Sequence, residues 1–224
     1  MAWRRGITRL CHLTQSRKLV HILSSSEGIL SQAQLTITNP GLLDPNDQAR
    51  LDGYVDYVSC SIEYPNTWYF RAVKERDKLF TEWVALLLSP ELLWSSGTLF
   101  CQFNAATCRG ALVRGGFDAF ASLFASEVSG LRGVRRRTPK MLPCCPTDDQ
   151  AEVLIPRNVP RDMILAVAVP SAEQARIEMK RLAYIGDVPS VKWIVAADLF
   201  TTRLSVLVRN GVRPEETPYI EEGA

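Results

Sequence analysis

Apolar and polar positions alternate, or run as short unbroken apolar blocks, at residues 9–14, 54–62, 83–88, 98–103, 152–155, 163–169 and 191–197, most of them bounded by Gly, Pro, Ser or Asn. Each block has strand length, so the chain reads as a sheet builder. Helical spacing appears at 16–23 and at 116–128, where Phe117, Phe120, Ala121, Phe124 and Val128 recur every three or four positions as a core-facing stripe. A third helix is expected from Ala172, with Ser171 as its cap, Gln174 reaching back to the cap, and Gly186 as the stop. Two stretches, 36–56 and 130–150, are rich in turn formers and too long to be plain connectors, which marks them as functional loops. The polar tail from 212 to 224 reads as frayed. No internal repeat or low-complexity tract interrupts this pattern. Strands without regular β-α alternation or a glycine-rich phosphate motif favour an α+β fold over a doubly wound one.

Composition narrows the picture further. A chain of 224 residues with 46% hydrophobic and 22% charged residues can bury one sizeable core, and a single domain over 1–224 is expected. A net charge of +2 gives no global pull toward nucleic acid, so any such affinity needs a local basic patch. Six cysteines without C-x-x-C spacing and only two histidines leave no zinc-type ligand cluster, so no metal is expected. The N-terminal residues lack the apolar stretch of a signal peptide, and the longest aliphatic runs are too short to span a bilayer. A cytoplasmic protein with reduced cysteines is the expectation.

Four segments carry candidate chemistry. His12 ends an early strand, where its ring could donate to a sugar hydroxyl while the next backbone groups clamp a flat carboxamide; a half-buried structural histidine is the alternative. Residues 57–69 run from a strand into a turn holding Glu63, Tyr64, Asn66, Trp68 and Tyr69, groups able to stack on a planar ring and bond its edge, or simply to cover the core. Glu152 sits between a polar loop and an apolar strand, and a carboxylate so held can stabilise positive charge at a breaking glycosidic bond; an exposed edge-strand glutamate is the alternative. Arg132, Arg135, Arg136, Arg137 and Lys140 place five cations in nine residues, suited to phosphate or to plain solvation.

Taken in order, three motifs resemble the DarT family of DNA ADP-ribosyltransferases, from His12 to the strand after Pro160. His12-Leu13-Thr14 and Glu27-Gly28-Ile29-Leu30-Ser31 are similar to the family's opening H-x-T strand and its G-[IL]-L-S element; Gln150-Ala151-Glu152-Val153-Leu154-Ile155-Pro156 resembles its Q-A-E-x-L-[IV]-P strand. The resemblance implies a split mixed β-sheet with flanking helices and long substrate loops. It implies NAD as co-substrate, with His12 at the adenosine-side ribose and Leu13 and Thr14 holding the nicotinamide end through backbone. His21, Gly28 and Tyr69 join that cleft. Glu152 is then the catalytic glutamate, and single-stranded DNA is the acceptor, held by the 132–140 cations and stacked on Trp68. In the thymine-modifying branch an arginine follows the second strand; the turn 61–68 here has none. The chain therefore looks like the guanine-modifying branch, with Glu63 as the group that orients the base or takes its proton. A toxin of this kind implies an antitoxin that hydrolyses ADP-ribosyl-DNA, of macrodomain or NADAR type. Transfer to RNA or protein, NAD glycohydrolysis, or a catalytically silent nucleic-acid-binding module are the competing readings.

Overall fold

The computed structural model describes residues 1–43, 50–76, 79–130, 133–185 and 188–221. In chain order the strands are β1 (Leu10–Gln15), β2 (Ile29–Leu30), β3 (Tyr57–Ile62), β4 (Trp83–Leu88), β5 (Leu99–Cys101), β6 (Arg114–Gly115), β7 (Glu127–Gly130), β8 (Gly133–Arg136), β9 (Glu152–Pro156), β10 (Asn158–Val159), β11 (Ile164–Val169), β12 (Lys192–Val195) and β13 (Thr217–Pro218). The helices are α1 (Ala2–Arg5), α2 (Leu19–Ser24), α3 (Gln32–Thr38), α4 (Thr67–Arg76), α5 (Phe117–Ser122), α6 (Ala172–Ile185) and α7 (Arg203–Arg209). This is an α+β fold built on a mixed sheet.

Nine strands form that sheet in the order β13-β12-β11-β4-β1-β3-β9-β5-β6. Its centre follows from the sequence: all six residues of β4, Trp-Val-Ala-Leu-Leu-Leu, are buried, as an unbroken apolar run must be when both faces are covered. β4 lies antiparallel to β1 along six residues and to β11 on its other side. β11 and β12 are parallel, which requires a crossover, and α6 supplies it. Ser171 caps α6 by accepting the Gln174 N–H at 3.2 Å. The expected return bond is not made, because Gln174 Nε2 donates instead to the Trp83 carbonyl, at 3.0 Å, and ties α6 to β4.

The junction between β1 and β3 is short. Only Leu10–Ile62 and Cys11–Ser61 pair, after which β1 continues along β4 while β3 follows β9 over Tyr57–Cys60. The two halves of the sheet splay apart from His12 onward. A wedge opens between them.

Several expectations change. The stripe at 116–128 forms a helix only to Ser122; Phe120 and Phe124 still stack edge to face at 5.4 Å, but Val128 lies in β7, paired with β8 in a hairpin. A tertiary pairing has overridden helical spacing, and the hairpin occupies part of the loop assigned to 130–150. The tail is not frayed over 212–221: β13 pairs with β12, and Glu216 forms an ion pair with Arg9. α3, α4 and α7 were not anticipated; α3 is capped by Ser31, which accepts the Gln34 N–H. No helix among the described residues is long and apolar enough to cross a membrane.

Candidate active site

The wedge between β1 and β3 is a cavity of about 400 Å³. Its walls are the cavity-side residues of β1 (Cys11 to Gln15) and β3 (Tyr57 to Ser61), the segment from Ser24 to Gln32, Arg50 to Asp52, the start of α4, and Glu152. His12, Leu13, Thr14, His21, Gly28, Tyr69 and Glu152, all expected at one cleft, line it together.

His12 stands where backbone pairing stops. Its Nδ1 donates to the Ser59 carbonyl at 2.8 Å, so a side chain spans the gap that the diverging strands leave and fixes the ring's orientation. Gly28 is obligatory for a different reason. Its φ is +66°, and a Cβ there would lie 2.2 Å from the Val159 carbonyl oxygen and 2.7 Å from the Arg161 nitrogen. The cavity-lining segment is thus pressed against the end of β10, to which β2 is paired.

Asn66 caps α4, accepting the Tyr69 N–H on Oδ1 at 2.9 Å, and this turns Asn66 and Tyr69 to the cavity.

Glu152 opens β9 and is buried, 9% exposed. Burial pushes its carboxyl up to about 7 from an ordinary 4.5, with Asp52 adding to the rise. The Ala105 N–H at 3.2 Å from Oε1, the Arg50 guanidinium and the Ser59 hydroxyl work against that rise. Ser59 therefore bears on both key side chains: its carbonyl accepts the His12 ring N–H, and its hydroxyl favours the charged form of Glu152. Arg50 lines the same cavity with its fork on the Asp52 carboxylate, at 3.0 and 2.7 Å, and its Nη1 on the Tyr57 carbonyl at 3.0 Å. Neither Ser59 nor Arg50 was singled out from the sequence. The only local signal was the R-x-D spacing of Arg50 and Asp52, which lies in a stretch that reads as irregular loop.

Other expected site residues fall elsewhere. Glu63 is corrected: it does not line the cavity. It is 1% exposed, turns the chain at φ +63°, and spends its carboxylate on the Thr8 N–H (2.8 Å), the Thr8 hydroxyl (3.0 Å) and Arg213 (3.3 Å). It locks the end of β3 to the start of β1 and to the tail. Arg137 is corrected too, because its guanidinium donates to the carbonyls of Cys145 (2.7 Å), Leu142 (2.8 Å) and Pro143 (3.2 Å), organising the loop before β9. Trp68 lies outside the cavity wall, its indole N–H on Asp149 Oδ2 at 3.0 Å and its side chain half exposed. Arg135 is 3.8 Å from Asp148, Arg136 is 3.3 Å from Glu127, and Lys140 is exposed; Arg132 lies outside the described residues.

No curated protein sequence matches the chain. Among solved structures, Thermus sp. 2.9 DarT in complex with ADP-ribosylated ssDNA superposes with a TM-score of 0.57 at 16% identity, covering 87% of this chain and 97% of that one. The same protein in complex with NAD+ gives 0.54 at 16% identity, with 86% and 97% covered. Thermosipho africanus DarTG in complex with ADP-ribose gives 0.58 at 15% identity, covering 86% of this chain, which spans only 51% of that longer one. These likenesses establish a shared fold. The family model described as "ssDNA thymidine ADP-ribosyltransferase, DarT" matches residues 11–198, and the chain belongs to the DarT family.

Proposed function

We propose that this protein transfers ADP-ribose from NAD to guanine in single-stranded DNA, as the toxin of a toxin–antitoxin pair. The observation that carries the proposal is Glu152: a buried carboxylate, held by the Ala105 N–H and facing a cavity that also holds His12. A volume of about 400 Å³ falls in the range of small-molecule sites, and the donor set suits a dinucleotide, with a flat amide gripped by the backbone of Leu13 and Thr14 and ribose hydroxyls near His12. His21, Gly28 and Tyr69 complete the same wall. Thermus DarT, similar in fold, is known with NAD+ and with ADP-ribosylated ssDNA.

NAD supplies a nicotinamide leaving group on a ribose whose anomeric carbon becomes electrophilic. Glu152 accepts a hydrogen bond from the neighbouring 2′-hydroxyl, and its negative charge offsets the positive charge that grows as the glycosidic bond stretches. Burial makes this charge costly on its own, so the carboxylate is fully used only when a cationic partner faces it. Asp52 keeps Arg50 from forming a direct pair that would neutralise Glu152, since both of its carboxylate oxygens hold the guanidinium. An unstacked base then attacks the anomeric carbon, which favours single strands over duplex.

Guanine is proposed because the turn 61–68 carries no arginine, and Pro65, Asn66 and Tyr69 form that side of the cavity instead. Arg135, Arg136 and Lys140 are proposed to meet the DNA backbone, with the exposed face of Trp68 as a stacking surface. The partner is an antitoxin that hydrolyses ADP-ribosyl-DNA, of macrodomain or NADAR type. The test is mass spectrometry of nucleosides digested from oligonucleotides incubated with the protein and NAD. An ADP-ribosyl-guanosine product is expected. Modification of a guanine-free strand would overturn the base assignment, and label appearing only in RNA, protein or free ADP-ribose would overturn the acceptor.

A further inference from the structure

Cys108, Arg109 and Gly110 are three successive residues in the left-handed region, with φ of +56°, +53° and +78°. Glycine accepts this readily, whereas cysteine and arginine do so only when the surroundings force it. The forcing contacts are visible. A Cβ on Gly110 would lie 2.1 Å from the Asp52 carbonyl oxygen and 2.8 Å from the Tyr54 ring, so the turn is seated directly on the 52–54 segment. The Gly110 N–H closes it by donating to the Ala105 carbonyl at 2.9 Å, and the Ala105 N–H in turn donates to Glu152 Oε1. Asn104 and Ala106, in the same loop, line the cavity.

This strained turn holds out a guanidinium. The Arg109 backbone N–H closes the turn on the Ala106 carbonyl at 3.1 Å, while the Arg109 guanidinium is exposed and makes no hydrogen bond or ion pair with the described residues. Its neighbours differ: Arg50 is spent on Asp52, and Arg114 donates to the carbonyls of Ala111 and Val113. Arg109 is not part of the cavity wall, so an anion meeting it lies outside the space assigned to NAD. Backbone strain maintained to display an uncommitted cation, two hydrogen bonds from the catalytic carboxylate, points to a binding role.

We infer that Arg109 grips a backbone phosphate of the acceptor strand beside the reacting base, and that its turn positions Glu152 through Ala105. This rests on the proposed transfer to single-stranded DNA. Arg109 is a positioning residue: occupancy of the guanidinium by phosphate holds the 105–110 turn, and the turn holds Oε1.

The test compares the full chain with Arg109→Gln, Arg109→Lys and Arg109→Gly, using a labelled guanine-containing oligonucleotide. Binding is measured across a salt series, and initial transfer rates with NAD are measured separately. Arg109→Gln is expected to raise the KM for oligonucleotide about tenfold, as loss of one charge-assisted contact does. It should also flatten the salt dependence by about 0.7 in log–log slope, the value for one phosphate on a single strand. Arg109→Lys should restore the slope but not all of the rate. Arg109→Gly should bind as poorly as Arg109→Gln while melting at a higher temperature than the parent, because it relieves a strained position. Arg176→Gln, on α6, outside the cavity wall and ion-paired with Glu173, serves as the charge-loss control and should match the parent. Salt slope and KM equal to the parent in Arg109→Gln would overturn the inference. The binding series needs no turnover, so a parent that binds the strand with an Arg109-dependent slope yet leaves it unmodified would sink the proposed function alone.

Discussion

Replacing Glu152 with glutamine should stabilise the fold and abolish the reaction, and the stabilisation should depend on pH in a defined direction. Burial holds this carboxyl at about 7 in the folded protein against 4.5 in an ordinary setting. Below pH 4.5 both states carry the proton and the carboxylate costs nothing. Between 4.5 and 7 the unfolded chain releases the proton while the folded protein keeps it, so stability falls as pH rises, reaching a loss of about 3 kcal/mol above pH 7. Glutamine removes that loss. Its advantage over the parent should therefore grow by up to about 3 kcal/mol from pH 4 to pH 8, or roughly 6–12 °C in melting temperature for a chain of this size. Thermal melts of both proteins at matched ionic strength across that range provide the assay. Transfer by the variant should fall on the order of a hundredfold or more, as when one preorganised charge is deleted. For the parent, kcat/KM should rise with pH through about 7, where Glu152 ionises. A stability difference that is flat with pH would refute the view that the carboxylate is held in the cavity against its own desolvation.

Ser59→Ala removes a hydroxyl that favours the charged form of Glu152, so the ascending limb of the kcat/KM profile should move to higher pH while NAD remains bound. Gly28→Ala places a methyl group 2.2 Å from the Val159 carbonyl oxygen at a positive φ; urea titration should show a loss of about 2–4 kcal/mol, together with weaker NAD binding by calorimetry. Glu63→Gln should cost about 1–3 kcal/mol in the same titration, because Arg213 and Thr8 lose a charged acceptor, yet leave the NAD KM in place; a selective fall in kcat without destabilisation would restore Glu63 to the chemistry.

What the sequence disclosed depended on how far each residue's partners lie along the chain. Glu152 and His12 were reached through the H-x-T and Q-A-E-x-L-[IV]-P motifs that resemble the DarT family, because local pattern alone left each with a plain structural alternative; the fold sets His12 inside β1 and not at its end. The central strand β4 was legible because six apolar residues in a row admit few other uses. Glu63 misled because a carboxylate in an aromatic turn looks poised for ligand, while its true partners, Thr8 and Arg213, come from 55 and 150 residues away. Arg137 misled in the same manner, since counting cations does not reveal that carbonyls of the following loop already surround one of them. Val128 kept a helical spacing from Phe124 but was claimed by the β7–β8 hairpin. Arg50 and Ser59 were missed because their significance is made only when β3 lies beside the head of β9 and the divergence of β1 exposes both.

That divergence has a thermodynamic side. After Cys11 the strand ladder of β1 continues to β4 alone among the described residues, while His12, Leu13 and Thr14 line the cavity on its other side. An edge of this kind is half of a ladder. A planar carboxamide seated against it would complete the ladder from outside the chain, much as an added strand does, and would be recognised by main chain rather than by any particular side group. Binding would then be felt by the sheet as a whole: ligand occupancy should slow amide exchange in β1 and β3 together, and side-chain replacements at Leu13 that preserve the strand should leave the grip on the amide largely intact.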